Sequence, residues 1–151
     1  MVGKQVGDIL AQAQQFHQDL SRFYDNLEKV ADRERVKMLL KYFSHQEQAL
    51  QESLRDFEAS IGQEVLSTWY KFPPESEGKD LLERLHLEPS MTVNQVVEIA
   101  LALIDCLAKV YQTAAETAPT EEVREVFRHL LRLADRQRDR LQEQGEAVKD
   151  L

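Results

Sequence analysis

The side chains that could carry chemistry are few, since the chain of 151 residues has four histidines and one cysteine. His45, His86 and His129 have no partner at helical spacing that would complete a site, and we expect them at the surface or half-buried. The sequence contains no Gly-rich phosphate loop, no Cys-x-x-Cys and no Gly-x-Ser-x-Gly segment. The remaining candidates are His17 and Glu47, whose placement depends on the helices that carry them.

Cys106 lies within the apolar run Ile99–Ala108. A catalytic thiol needs an activating neighbour and partial exposure, so this setting predicts a buried, inert thiol. A lone cysteine forms no internal disulfide, which favours a reducing compartment. Residues 1–16 show no continuous apolar segment typical of a signal peptide. The longest apolar run, Ile99–Ile104, is far shorter than the roughly 20 residues of a membrane span. We expect a cytoplasmic protein without membrane contact.

The charge balance argues against nucleic acid as a partner. Acidic residues outnumber basic ones by 27 to 19, which gives a net charge of −8 that repels a phosphate backbone. One basic cluster near the C-terminus is interleaved with acidic side chains: Arg132, Asp135, Arg136, Arg138, Asp139, Arg140 and Glu143. Alternating signs on a helix are typical of a solvated face, and we expect no nucleic-acid binding.

Apolar residues at steps of three and four predict a first helix over 4–31 and a second over 33–61. Glu47 falls on the apolar stripe of the second helix. Asp32 is the predicted N-cap of that helix. A connection this short makes the two helices antiparallel neighbours.

Residues 62–90 have a different character. The paired prolines after Phe72 exclude regular helix there, and residues 79–85 predict one or two short helical turns. We interpret the segment as a long crossover, packed down by Trp69, Phe72, Leu81 and Leu85.

The same period returns after the crossover and predicts helices over 91–117 and 120–147. Ser90 or Thr92 can cap the third helix and Thr120 the fourth, whose polar last third is expected to fray or project. The chain is therefore predicted to be all-α, a single domain over 1–151. Its fold is a four-helix bundle of two antiparallel hairpins joined by a long crossover.

The two hairpins are similar to each other in sequence. A shift of 87 positions, without a gap, brings Tyr24 onto Tyr111 and apolar residue onto apolar residue along both pairs of helices. Any two amphipathic hairpins of equal length match in part. The identical tyrosines and the gapless turn favour an internal duplication.

On this pattern the chain resembles the ferritin-like superfamily and, within it, the rubrerythrin-like branch. The supporting segments are Phe16–Tyr24 with Val36–Leu54, and Leu103–Tyr111 with Val123–Leu141. The resemblance implies a di-iron site. Each hairpin would supply a Glu seven residues before its tyrosine and a Glu-x-x-His on its second helix.

Most of these implied ligands are replaced in this chain. In the first hairpin the positions fall on His17, Glu47 and Leu50. In the second hairpin they fall on Ile104, Ala134 and Gln137. A di-iron centre needs several converging carboxylates and imidazoles, so ferroxidase, peroxidase and oxygen-activating chemistry are not expected.

His17 and Glu47 should face the bundle interior at a similar level, with Gln137 as a third member. One interpretation is a site for a single zinc or iron ion, or for acid–base chemistry, on these three residues. The other is a buried polar layer in which His17 bonds Glu47 and Gln137 is satisfied nearby. The second is the simpler, and no cofactor is expected.

The third predicted helix is apolar on nearly every face along Ile99–Ala108, with Asp105 its one charge. A helix that is apolar all round should be covered all round. We expect the crossover and a second subunit to cover it, in a two-fold homodimer.

The sequence is compatible with three functions. The first is a non-catalytic ferritin-like bundle that acts through protein–protein contacts, as a homodimer or an accessory subunit. The second is a residual metal-binding protein that uses His17, Glu47 and Gln137. The third is a binder of a small apolar ligand between the helices.

Overall fold

The computed structural model describes residues 3–149, so residues 1–2 and 150–151 of the predicted domain lie outside the described part. Along the chain the elements are β1 (Lys4–Gln5), α1 (Val6–Val30), α2 (Glu34–Ser60), α3 (Gln63–Leu66), β2 (Trp69–Tyr70), α4 (Gly78–Arg84), α5 (Val93–Glu116) and α6 (Glu121–Lys149). The four long helices form two hairpins, α1 with α2 and α5 with α6, around one apolar core. The predicted all-α bundle is confirmed.

The turn between α1 and α2 differs from the prediction in its cap. The N-cap of α2 is Arg33, which makes no side-chain capping bond, and not Asp32. The backbone N–H of Asp32 instead donates to the carbonyl oxygen of Pro89 over 3.0 Å. This bond ties the first hairpin to the end of the crossover.

The crossover is more ordered than its composition indicates, because it pairs with the start of the chain. Lys4 and Gln5 form a two-residue antiparallel ladder with Tyr70 and Trp69, so α1 begins at Val6. Successive residues of a strand face opposite sides. Tyr70 accordingly points into the core, where its hydroxyl donates to the carbonyl oxygen of Ala114 over 2.5 Å.

The aromatic cover predicted for the third long helix is therefore wrong in part. Trp69 is 58% exposed and Phe72 is 75% exposed. Leu81 and Leu85 do pack against the core from the α4 side. Gly78 lets α4 approach α1, since a Cβ there would lie 2.7 Å from the ring of Phe16.

The second hairpin begins with the predicted caps. Thr92 accepts from the backbone N–H of Gln95 while Gln95 bonds back to Thr92, which is a capping box. Thr120 accepts from the backbone N–H of Val123 over 3.2 Å. No helix within residues 3–149 is both long and apolar enough to cross a membrane.

The last third of α6 does not fray, contrary to expectation. The helix continues to Lys149, and Leu141, Gly145 and Val148 are buried. The absence of a side chain at Gly145 lets α6 lie close to Val97 of α5, because a Cβ there would be 2.6 Å from the Val97 Cγ2 methyl. Packing against α5 stabilises a segment whose exposed faces are polar.

We predict that Gly145→Ala destabilises the protein, although alanine is the better helix former. The clash with Val97 should cost about 1–2 kcal/mol, more than the roughly 0.5–1 kcal/mol gained in helix propensity. Urea unfolding measures the change. In a Val97→Ala background the same substitution should stabilise. A stabilising effect in both backgrounds would show that the close approach is absent.

Candidate functional site

Three helices bring His17, Glu47 and Gln137 together in the bundle interior. They come from α1, α2 and α6 respectively, and all three are buried among apolar core residues. Sequence reasoning named these three residues, and the structure places them side by side.

Each oxygen of the Glu47 carboxylate has its own partner. Nδ1 of His17 lies 2.5 Å from Oε2, and Nε2 of Gln137 donates to Oε1 over 2.5 Å. An ionised carboxylate only accepts hydrogen bonds, so Nδ1 of His17 carries the hydrogen in this pair. The three side chains are bonded to one another, and each oxygen of Glu47 already accepts one hydrogen bond.

Two tyrosines complete the surroundings of the carboxylate. Burial raises the pKa of Tyr24 and of Tyr111, and the negative charge of Glu47 raises it further. Both phenols therefore stay neutral at physiological pH. Tyr24 packs edge-on against Phe43, with ring centres 5.6 Å apart, and the Tyr111 ring packs at a tilt against Phe127, with ring centres 6.3 Å apart. Their main contribution is to the packing of the core.

The residues at the other implied ligand positions do not fit a di-iron centre. Ile104 and Ala134 are buried apolar residues, and Leu50 is half-buried. Asp105 and Asp135, one position along the helices, are exposed, and Asp105 pairs with Arg138 at the surface. Within residues 3–149 no cluster of three or more His, Cys, Asp or Glu could hold a metal ion. Two cations would lack both ligands and charge compensation.

A cavity of about 150 Å³ lies next to the hydrogen-bonded residues. It is lined by His17, Leu50, Ser53, Leu54, Leu107, Tyr111, Leu130, Leu133, Ala134, Gln137 and Arg140. The sequence carried one signal for it: the short side chain of Ala134 stands where the duplicated hairpin has Glu47. Its size and its opening towards α2 and α6 could not be read from the pattern.

A second polar cluster links α1 and α2 and was missed by sequence reasoning. The hydroxyls of Ser21 and Ser44 lie 3.0 Å apart, and Gln48 donates to Ser21 over 3.1 Å. Both serines are buried. Small hydroxyl side chains let the helices approach while each polar atom keeps a partner, so this cluster is structural.

Of the other candidate side chains, Cys106 differs from expectation, whereas His129 is half-buried as predicted. Cys106 is half-buried instead of buried, and burial together with the charges of Glu77 and Asp105 raises its pKa. The thiol is therefore a poor nucleophile near neutral pH. The ring of His129 packs on that of Phe57 of α2, with the ring centres 4.4 Å apart. Burial and nearby arginines lower the pKa of His129, which favours the neutral ring.

Comparison with known proteins supports the fold. No protein-family model matches the chain, and no curated protein matches it significantly. The chain is similar to the crystal structure of a proposed ferritin-like diiron-carboxylate protein from Thermotoga maritima, with a TM-score of 0.62 and 17% identity. The similarity covers 97% of each chain. At this identity it shows the fold alone, and the fold is ferritin-like, as the sequence pattern predicted.

We predict that the polar trio can be replaced as a unit but not in part. Glu47→Leu leaves two buried donors without an acceptor and should cost about 3 kcal/mol of unfolding free energy. Replacing His17, Glu47 and Gln137 together by leucine removes donors and acceptor at once, and should recover most of that loss. Chemical denaturation of the two variants gives the comparison. A triple variant less stable than Glu47→Leu would contradict it.

Proposed function

We propose that this protein is a non-catalytic ferritin-like bundle that acts through protein–protein contact, with a second copy of the chain as its partner. The observation that carries the proposal is an apolar groove on the outer face of α5, which the crossover leaves open. The interior of the bundle also supports the proposal, because its polar residues bond to one another.

In the interior, the polar residues are occupied with one another. Both oxygens of Glu47 accept hydrogen bonds, and the neighbouring implied ligand positions carry Ile104 and Ala134. A buried carboxylate that is paired on both oxygens can stabilise a core without a metal ion. Di-iron chemistry on this layer would lack most of its ligands.

On the outside, α4 and α5 form a groove of about 390 Å³. Its apolar lining comprises Leu81, Leu85, Met91, Ile99 and Ala102, and we call it the α4–α5 groove. Glu88, Gln95 and Glu98 supply its polar lining. Exposed apolar side chains together with polar ones are typical of a protein interface.

The surroundings of the α4–α5 groove favour a second copy as the occupant. Leu87 lies between α4 and α5, in the stretch of chain that borders the groove, and is exposed. A two-fold interface must be self-complementary, so Leu87 of each copy would enter the α4–α5 groove of the other. Trp69 and Phe72 add exposed aromatic surface on the crossover, which an accessory partner could also use.

We predict a dimer in sedimentation experiments at concentrations on the order of tens of micromolar, as for a modest interface. Ala102→Glu places a charge in the groove and should give monomers, whereas Met38→Glu, on an exposed site of α2, should not. Each chain carries a net charge of −8, so added salt should strengthen the dimer by screening repulsion. A monomer at both low and high salt would overturn the proposal.

A single zinc or iron ion on His17, Glu47 and Gln137 stays a prediction of the second hypothesis. Metal analysis of protein purified without a histidine tag separates it from the proposal. We expect substoichiometric zinc and iron, unchanged in a His17→Ala variant. Stoichiometric metal that is lost in that variant would establish a metalloprotein instead.

A further inference from the structure

We infer that the interior cavity beside His17 is a binding site for a small, largely apolar molecule that carries one hydroxyl group. The hydroxyl would lie at the polar end of the cavity, between His17 and Gln137. The apolar part would lie against the leucines of α2, α5 and α6. This site is separate from the α4–α5 groove.

The polar end of the cavity offers two unused atoms. His17 and Gln137 each use one atom on Glu47, and within residues 3–149 neither Nε2 of His17 nor Oε1 of Gln137 has a hydrogen-bond partner. His17 is only 4% exposed. Among the described residues, Oε1 of Gln46 is the one buried side-chain atom that is enclosed without a partner. The two atoms therefore border open space, and the cavity is the space that both side chains line.

The size and the walls of the cavity set the apolar part of the ligand. Leucine and alanine side chains make up most of the lining. The volume of about 150 Å³ matches engineered apolar cavities of about 150 Å³ that bind benzene. A molecule with a single ring fits this space. A long acyl chain does not.

The donors and acceptors at the polar end of the cavity determine which polar group the ligand should carry. With Nδ1 donating to Glu47, Nε2 of a neutral His17 accepts, and so does Oε1 of Gln137. If His17 is protonated, Nε2 donates instead. A hydroxyl suits both states: it donates to one of the two acceptors when His17 is neutral, and it accepts from Nε2 and donates to Oε1 of Gln137 when His17 is protonated. A carboxylate would meet the negative charge of Glu47, and an ammonium group would be costly to bury among leucines.

Access runs between α2 and α6. Leu50 and Leu133 are half-buried at this side of the cavity, and Ser53 and Arg140 are exposed beside them. The cavity is partly open to solvent on this side. Because Arg140 is exposed beside the entrance, an anionic compound is the main alternative to a neutral hydroxyl compound as the ligand.

The experiment is a titration of the full chain with phenol, toluene and benzoate, followed by amide chemical shifts and calorimetry. Toluene matches phenol in shape but lacks the hydroxyl. A purely apolar cavity would prefer toluene, because phenol would lose the hydration of its hydroxyl. We expect phenol to bind at least as tightly as toluene. We also expect the shifts to centre on His17 and Gln137.

Two variants make the result specific. Gln137→Leu should reduce the preference for phenol over toluene by about tenfold, as expected for one lost hydrogen bond. Ala134→Leu fills the cavity and should abolish binding of both. If it does not fold, Leu133→Trp at the entrance serves the same purpose. The ratio of the phenol affinity to the toluene affinity is measured on one variant at a time, so a change in the stability of that variant affects both and cancels.

Four outcomes would overturn the inference. They are no binding of phenol up to its solubility, a clear preference for toluene, a clear preference for benzoate, and phenol binding that survives filling of the cavity. Absence of phenol binding would indicate a cavity that holds water only, and a preference for toluene would indicate a packing defect. A preference for benzoate would indicate that Arg140 recognises the ligand. Phenol binding that survives filling of the cavity would place the bound phenol elsewhere on the protein.

Discussion

A buried carboxylate needs partners, and this requirement fixes the interior of the bundle. Glu47 meets it with donors from two other helices, His17 on α1 and Gln137 on α6. An unpaired buried charge costs several kcal/mol, so α1, α2 and α6 are held at one relative height. The apolar layers above and below then pack in a single register. This bonded group links the two hairpins in the interior, and at the surface Arg35 of α2 donates to the carbonyl oxygen of Lys149 of α6.

Much of this arrangement could be predicted from the sequence, because helical period determines which residues face inward. The period gave the four long helices, and the resemblance placed His17, Glu47 and Gln137 among the implied ligand positions inside the bundle. The period says nothing about contacts outside a helix. The ladder between β1 and β2, the inward turn of Tyr70 and the outward turn of Trp69 depend on strand alternation over two residues. So short a strand leaves no sequence pattern.

The candidate site, too, could be predicted from the sequence only in part. Which residues meet could be carried over from the resemblance, whereas how they meet could not. A metal site and a hydrogen-bonded trio need the same three residue types, and only the atoms in contact distinguish them. The cavity is harder still to predict, since it is the volume that eleven side chains leave unfilled. Ala134 indicated a place where space could arise, and the packing of Leu50 and Leu133 determined its extent.

The bond between Tyr70 and Ala114 has a consequence for the order of folding. Each hairpin is built from contacts close in sequence, which form early and at low entropic cost. Tyr70 reaches a carbonyl 44 residues further along, at the end of α5. Each hairpin can grow from its short turn, whereas this bond needs α5 and the β1–β2 ladder needs the start of α1, so we expect both to form after the hairpins. We expect the crossover to dock last and to open first, as a cooperative unit less stable than the helices it spans.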